Sequence, residues 1–177
     1  MAYLDQMNRF VALLRAVNVG GTGKLPMSDL VTICHDAGFE AIKTYIASGN
    51  VVFSTTLDAI SAGNALEAGV AAYAGKPVGI FIRDADQMRE ILLQNPFADR
   101  PPNSTTTVFL DHNPDQAMLT QITGHKDEEL ALGAREIYVH YPSGMGQSKL
   151  KIIGAQSGTA RNMNTVAKLT QMLRDDP

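Results

Sequence analysis

The segment from Phe10 to Val19 constrains the fold of this chain more than any other stretch. Its residues are mostly apolar at odd and even positions alike, which is the pattern of a β-strand covered on both faces. Gly20-Gly21-Thr22-Gly23 then breaks the strand, and Pro26 suits the first turn of a helix that stops at Gly38. We therefore expect a buried strand that leads through a glycine-rich turn into a helix.

The order of the elements that follow predicts the fold class. Ile42–Ala47 and Val51–Thr55 are predicted as two strands joined through Ser48-Gly49-Asn50, whose residue types suit a tight turn. A single strand with a glycine bulge is the alternative. Three further elements follow: a helix over Asp58–Ala74, a strand over Val78–Arg83 and a helix over Ala85–Leu93. The order β-α-β-β-α-β is that of split-βαβ, ferredoxin-like sheets.

A segment with three prolines, Pro96–Ser104, is the predicted joint between two lobes. Residues 1–98 form the ferredoxin-like α+β lobe. Residues 99–177 form a smaller α+β second lobe, which ends in a helix. We expect the two lobes to pack as one compact unit, and the predicted fold class is therefore α+β.

The composition is typical of a globular protein. The chain has 177 residues, of which 45% are apolar and 19% are charged. Cys34 is the single cysteine, so an intramolecular disulfide is excluded. The first residues include an early acid and do not form a signal peptide, and no stretch approaches the roughly 20 apolar residues that span a bilayer. We therefore expect a cytoplasmic protein without a membrane partner.

Positive charge is concentrated in the last part of the chain, although the net charge of the whole is −3. Residues 137–174 contain no Asp or Glu and carry five cationic side chains: Lys149, Lys151, Arg161, Lys168 and Arg174. A nucleic-acid-binding module could use such a tract. Aromatic platforms normally accompany single-strand binding, and this tract offers only Tyr138 and Tyr141. Nucleic acid is therefore the alternative ligand and not the expected one.

The sequence lacks several catalytic and metal-binding patterns. The phosphate-binding loop of nucleoside triphosphatases needs a glycine at position 18 and a serine or threonine at position 25. This chain has Asn18 and Leu25 there, so the motif is absent. There is no Gly-x-Ser-x-Gly elbow, and the four histidines lack the spacing of metal ligands. Cys34 lies on the apolar face of the first predicted helix and is interpreted as a core residue. No catalytic residue, metal or cofactor is therefore assigned.

Two arginines in unusual positions are the clearest indication of a ligand. Arg15 lies within the first predicted strand, where a guanidinium needs an internal ion pair, a position at the end of the sheet from which it reaches outward, or a ligand. Arg161 lies at the entrance of a helix predicted to begin near Asn162, where the helix dipole disfavours a cation. A helix N-terminus with a guanidinium and neighbouring amides suits a phosphate or carboxylate. An ion pair of Arg161 with Asp84 or Asp86 is the alternative.

Short motifs spread over nearly the whole chain resemble one bacterial family. They are RFVALLRAVNVGG (residues 9–21), KLPM (24–27), TY (44–45), SGNVVF (48–53), NPF (95–97), SKL (148–150) and TARNMNT (159–165). The family is known as domain of unknown function 1697, and the resemblance implies a cytosolic α+β protein. Two positions depart from the family pattern, which usually has glycine where Ala16 stands and tryptophan where Met163 stands.

The sequence predicts binding of a phosphate- or carboxylate-bearing small molecule in a cleft between Arg15 and the helix N-terminus at Arg161. The resemblance implies that its motif residues contribute to this site. The predicted ligand-binding residues are Arg15, Asn18, Lys24, Ser48, Asn50, Lys149, Arg161, Asn162 and Asn164. The alternatives are an enzyme acting on that ligand, a nucleic-acid-binding module that uses residues 137–174, and a protein-interaction protein without a small ligand.

Overall fold

The computed structural model describes residues 7–19 and 23–175. The chain divides into two compact units: unit 1 comprises residues 1–87 and 169–177, and unit 2 comprises residues 88–168. The predicted lobes, 1–98 and 99–177, differ from these units. Both boundaries of unit 2 fall inside helices, whereas the prediction was based on a proline-bearing linker.

Unit 1 is built around a four-stranded antiparallel sheet with two helices. Its elements are β1 (Asn8–Leu14), α1 (Met27–Asp36), β2 (Glu40–Thr44), β3 (Asn50–Thr55), α2 (Ala59–Ala74) and β4 (Ile80–Asp84). The strand order is β2-β3-β1-β4, and each neighbouring pair is antiparallel. The predicted order β-α-β-β-α-β is confirmed. The alternative of one bulged strand in place of β2 and β3 is wrong.

β1 is buried on both faces, as its sequence predicts. Phe10, Ala12 and Leu14 join a core with apolar side chains of α1 and α2. The residues of the other parity, Val11 and Leu13, are fully buried as well. Burial of each large apolar side chain contributes roughly 1.5–3 kcal/mol to the free energy of unfolding. β1 is therefore a main source of stability in unit 1.

β1 ends earlier than its apolar sequence predicts. Ala16 and Asn18 both have a φ of 56°, in the left-handed region where a strand cannot continue. Arg15 therefore lies beyond the end of β1 at Leu14, and its side chain is exposed. The prediction that Arg15 lies within the strand is wrong for this reason, and the alternative of an arginine that reaches outward at the end of the sheet agrees with the structure.

Unit 2 contains a second four-stranded antiparallel sheet and a separate pair of short strands. Two helices cross its boundaries, α3 (Ala85–Leu93) and α5 (Met163–Arg174). Its other elements are β5 (Thr105–Phe109), α4 (Gln116–Thr120), β6 (Ile122–Thr123), β7 (Glu129–Leu132), β8 (Glu136–His140), β9 (Lys151–Ile152) and β10 (Thr159–Asn162). The larger sheet has the order β10-β5-β8-β7, and β6 pairs with β9. A core that includes Leu110, Met118, Ile137 and Val139 lies within this unit.

β10 is an element that the sequence pattern did not indicate. It pairs with β5 in a register that places Arg161 opposite Thr107. Four residues are too short to show a strand periodicity, and the partner strand lies about fifty residues away in sequence. Arg161 is therefore a strand residue, and α5 begins two residues later at Met163.

Candidate functional site

Five of the predicted site residues lie in unit 1, around the end of β1 and the turn between β2 and β3. Asn18 joins these segments through its side-chain amide. Its Nδ2 donates to Leu25 O at 2.7 Å and to Ala47 O at 2.8 Å, while its Oδ1 accepts from Leu25 N–H at 2.7 Å. Both amide hydrogens are thereby used within the protein, so Asn18 joins Leu25 and Ala47 to the segment that follows β1.

The turn Ser48-Gly49-Asn50 is also held by internal contacts. Asn50 is fully buried, and its Nδ2 donates to Tyr45 O and to Ser48 Oγ, each at 3.0 Å. The carbonyl of Gly49 accepts from Leu14 N–H at 2.8 Å. These bonds fasten the turn to the end of β1, and they give Ser48 and Asn50 a structural role.

Left-handed backbone occurs in both of these segments. Ala16, Asn18 and Ile46 have φ values between 50° and 56°, and Gly49 has a φ of 91°. This conformation is unusual for residues with a side chain, above all for a β-branched one such as Ile46. Strain of this kind persists only where the surrounding structure enforces it, and it is often found at functional sites.

A pocket of about 160 Å³ lies beside this loop. Its walls are mainly apolar, and they come from residues after β1, from the end of α2 and from Val78. Lys24, Tyr73 and Lys76 are the polar side chains that line it. The Tyr73 hydroxyl donates to Asp29 Oδ2 at 2.6 Å. Within the described ranges, neither lysine side chain has a hydrogen bond or an ion pair.

Three predicted residues line this pocket or adjoin its lining residues in sequence. Lys24 lines it, Arg15 directly precedes Ala16, and Asn18 directly follows Val17. The backbone N–H of Arg15 donates to Gly79 O at 2.9 Å. Lys76 was missed because no local motif marks it, and only the fold brings the segment after α2 to the same pocket as Lys24.

The other four predicted residues lie in unit 2. The guanidinium of Arg161 donates through Nη1 to Thr159 Oγ1 at 2.6 Å and to Ala160 O at 2.9 Å. Only 7% of this residue is exposed, and burial lowers the pKa of its guanidinium to about 10. Asn162 caps α5, because its Oδ1 accepts from Thr165 N–H at 2.9 Å.

Asn164 is exposed in the first turn of α5, and Lys149 is exposed in a loop that lines a separate pocket of unit 2. The nine predicted residues are thus distributed over both units. Arg15 belongs to unit 1 and Arg161 to unit 2. The predicted cleft between them stays a prediction.

Neither Cys34 nor a cluster of metal ligands provides a further centre in the described part of the chain. Cys34 is fully buried, and burial raises the pKa of its thiol to about 12, so it is a poor nucleophile. Residues 7–19 and 23–175 contain no cluster of three or more His, Cys, Asp or Glu side chains that could hold a metal ion. None of the helices described is long and apolar enough to cross a bilayer.

The cationic tract from 137 to 174 does not present all of its charges to solvent. Arg161 is buried, whereas Lys149, Lys151, Lys168 and Arg174 are exposed. Tyr138 is buried, and its hydroxyl donates to Ile91 O at 2.7 Å. It is therefore not available as a stacking platform for a nucleobase.

Comparison with known proteins identifies relatives of this chain. Residues 7–138 match the model of a family described as protein of unknown function DUF1697. A solved structure, that of the conserved bacterial protein SP0830 from Streptococcus pneumoniae, is similar, with a TM-score of 0.78 at 25% sequence identity. The match covers 95% of this chain and 99% of that one. No curated protein matches significantly.

Proposed function

The chain belongs to the DUF1697 family of proteins of unknown function, and we propose that it binds a small phosphate- or carboxylate-bearing molecule in the pocket of unit 1. The observation that carries this proposal is the lining of that pocket. Lys24 and Lys76 both line it, none of the described lining residues is acidic, and the Asp29 carboxylate beside it accepts from the Tyr73 hydroxyl. Two ammonium groups in a lining without a carboxylate favour an anion.

The size and polarity of the pocket limit the ligand. Its volume is about 160 Å³, which is less than the roughly 300–1,000 Å³ of typical drug-sized ligand sites. Val17, Leu25 and Val70 contribute apolar walls. An anion with a few carbon atoms, such as a short-chain carboxylate or phosphate monoester, suits these walls better than a large polyanion.

The left-handed backbone beside the pocket supports the same proposal. Ala16 lines the pocket with a φ of 56°, and Asn18 fixes the position of Leu25, the neighbour of Lys24. This arrangement costs conformational energy but fixes the backbone beside Lys24 before a ligand arrives, which lowers the entropic cost of binding. Asn18, Ser48 and Asn50 would then act by supporting the loop, without touching the ligand.

An anion series with matched variants tests the proposal. Thermal unfolding is recorded in chloride and then with phosphate, sulfate, acetate, propionate or propyl phosphate at equal ionic strength. A ligand at about 100 times its dissociation constant stabilises the native state by about 2.7 kcal/mol, so the parent midpoint should rise with at least one anion. Lys24→Met and Lys76→Met should reduce this rise, because each removes a charge and keeps the apolar stem.

Lys43→Met is the control, since Lys43 is an exposed lysine on β2 of the same unit and does not line the pocket. It should leave the response unchanged. Two results would show that the pocket is not an anion site. One is that no anion raises the melting temperature of the parent, and the other is that Lys43→Met reduces this rise as much as Lys24→Met and Lys76→Met do.

A further inference from the structure

We propose a second ligand site in unit 2, a pocket that would take a phosphorylated polyhydroxyl compound such as a sugar phosphate. The pocket has a volume of about 280 Å³, close to the lower limit of typical small-molecule sites. Two loops form its walls, one from Gly124 to Glu128 and the other from Ser143 to Lys149. The site is independent of the anion pocket of unit 1.

Hydrogen bonds between the two loops hold these walls together. Within the first loop Lys126 N–H donates to Glu128 Oε2 at 2.8 Å, and between the loops Ser148 Oγ donates to Glu128 Oε1 at 2.5 Å. Ser143 Oγ donates to Asp127 Oδ2 in the same way. A built pocket of this kind does not need to be ordered when the ligand binds, which favours affinity.

Gly124 adds a close backbone contact between the same loops. Its φ is +66°, and a Cβ at this position would lie 2.0 Å from Lys149 O. Only a residue without a side chain allows this approach. The contact therefore fixes the position of the backbone from which the Lys149 side chain extends.

The groups that the loops leave unused define the ligand chemistry. Both carboxylate oxygens of Glu128 accept internal hydrogen bonds. By contrast, four groups of the lining have no hydrogen bond or ion pair in the part of the chain that the structure describes. They are the ammonium groups of Lys126 and Lys149, the Gln147 amide and Asp127 Oδ1. Two cationic donors, one amide and one open carboxylate oxygen thus line a single pocket.

This set suits a ligand that carries both a phosphate and hydroxyl groups. The two ammonium groups are donors for phosphate oxygens. The open oxygen of Asp127 accepts from hydroxyls, and the Gln147 amide can donate and accept. Since two carboxylates balance the two lysines in this lining, a bare anion has little net attraction, whereas a phosphorylated polyol also uses the carboxylate. None of the described residues that line the pocket has an aromatic side chain to stack on a base.

Calorimetric titration in phosphate-free buffer near 0.15 M salt tests the site, with glucose 6-phosphate, glucose and inorganic phosphate as probes. Glucose 6-phosphate should bind at one site, at least about tenfold more tightly than either fragment. Lys149→Met and Asp127→Asn should each weaken it by about tenfold, the scale of one lost charged hydrogen bond. Lys151→Met, an exposed lysine that does not line the pocket, should change the affinity by less than about twofold.

Circular dichroism melts confirm that each variant is folded, and Lys126→Met replaces Lys149→Met if that variant is not. Lys24→Met should bind glucose 6-phosphate as the parent does, which separates this site from the one in unit 1. Three results would overturn the proposal. They are no binding of glucose 6-phosphate, binding of inorganic phosphate as tight as that of glucose 6-phosphate, or a loss of affinity in Lys151→Met as large as that in Lys149→Met.

Discussion

Replacing Gly49 by alanine should destabilise the protein far more than an ordinary glycine substitution. Gly49 has a φ of +91°, and a Cβ there would lie 2.5 Å from Val17 Cγ2 and 3.0 Å from Leu14 Cβ. A side chain in the left-handed region costs about 1–2 kcal/mol. Overpacking a well-filled site costs about 1–3 kcal/mol more. The expected loss in free energy of unfolding is therefore about 2–5 kcal/mol.

Gly75→Ala separates these two contributions. Gly75 follows α2 with a φ of +70°, but a Cβ there would have no atom within 4 Å. This control should lose only the conformational part, about 1–2 kcal/mol. The difference between the two variants then reports how closely β1 and the following segment enclose the turn.

Urea and thermal unfolding followed by circular dichroism measure both variants, since the chain has no tryptophan to serve as a fluorescence probe. For a protein of this size each kcal/mol corresponds to about 2–4 °C in melting temperature. Gly49→Ala should therefore melt about 4–20 °C below the parent, with an unchanged dependence on urea. Equal losses in Gly49→Ala and Gly75→Ala would refute the close packing of the turn.

Three further predictions concern other positions. Ala16→Gly should raise the stability by about 0.5–1 kcal/mol, because relief of the left-handed strain at φ 56° exceeds the added entropy of the unfolded chain; a lower melting temperature would contradict this. Cys34 should react with a thiol reagent only after unfolding, since its thiol is buried and its pKa is raised to about 12; rapid labelling of the native protein would show an accessible thiolate. Hydrogen bonds from Ser148 and Lys126 lower the pKa of the Glu128 carboxyl from 4.5 to about 2. The ionised carboxylate therefore stabilises the folded protein above pH 4.5, and this stabilisation is lost as the pH falls toward 2. Parent and Glu128→Gln should thus converge in urea midpoint between pH 5 and pH 2, and a constant difference would exclude this carboxylate as the cause.

Some features of the candidate sites could be predicted from local sequence, and others could not. Ser48-Gly49-Asn50 was predicted as a tight turn because its residue types favour that backbone. The family resemblance directed attention to Lys24 and Lys149, and each lines a pocket. The partners that complete these pockets, such as Lys76 and Asp127, belong to other segments, and no motif marks them.

The sequence alone determined the features that depend on the contact of each residue with water and with its near neighbours. The apolar run of β1 requires burial on both faces, Asp58 begins α2 because its carboxylate accepts from Ser61 N–H at 2.8 Å, and Cys34 follows the apolar face of α1 into the core. Periodicity reports such local preferences for water or for a core.

Only the tertiary structure decided where β1 ends, that Arg161 belongs to a strand, and which lysines share a pocket. Arg161 lies in β10 because a distant strand, β5, supplies its hydrogen-bonding partners, and Lys76 meets the loop of Lys24 because α2 packs against the sheet. These outcomes depend on pairing and packing between residues that are far apart in sequence. A local pattern carries no information about the partner, so contacts of this kind arise only when the whole chain folds.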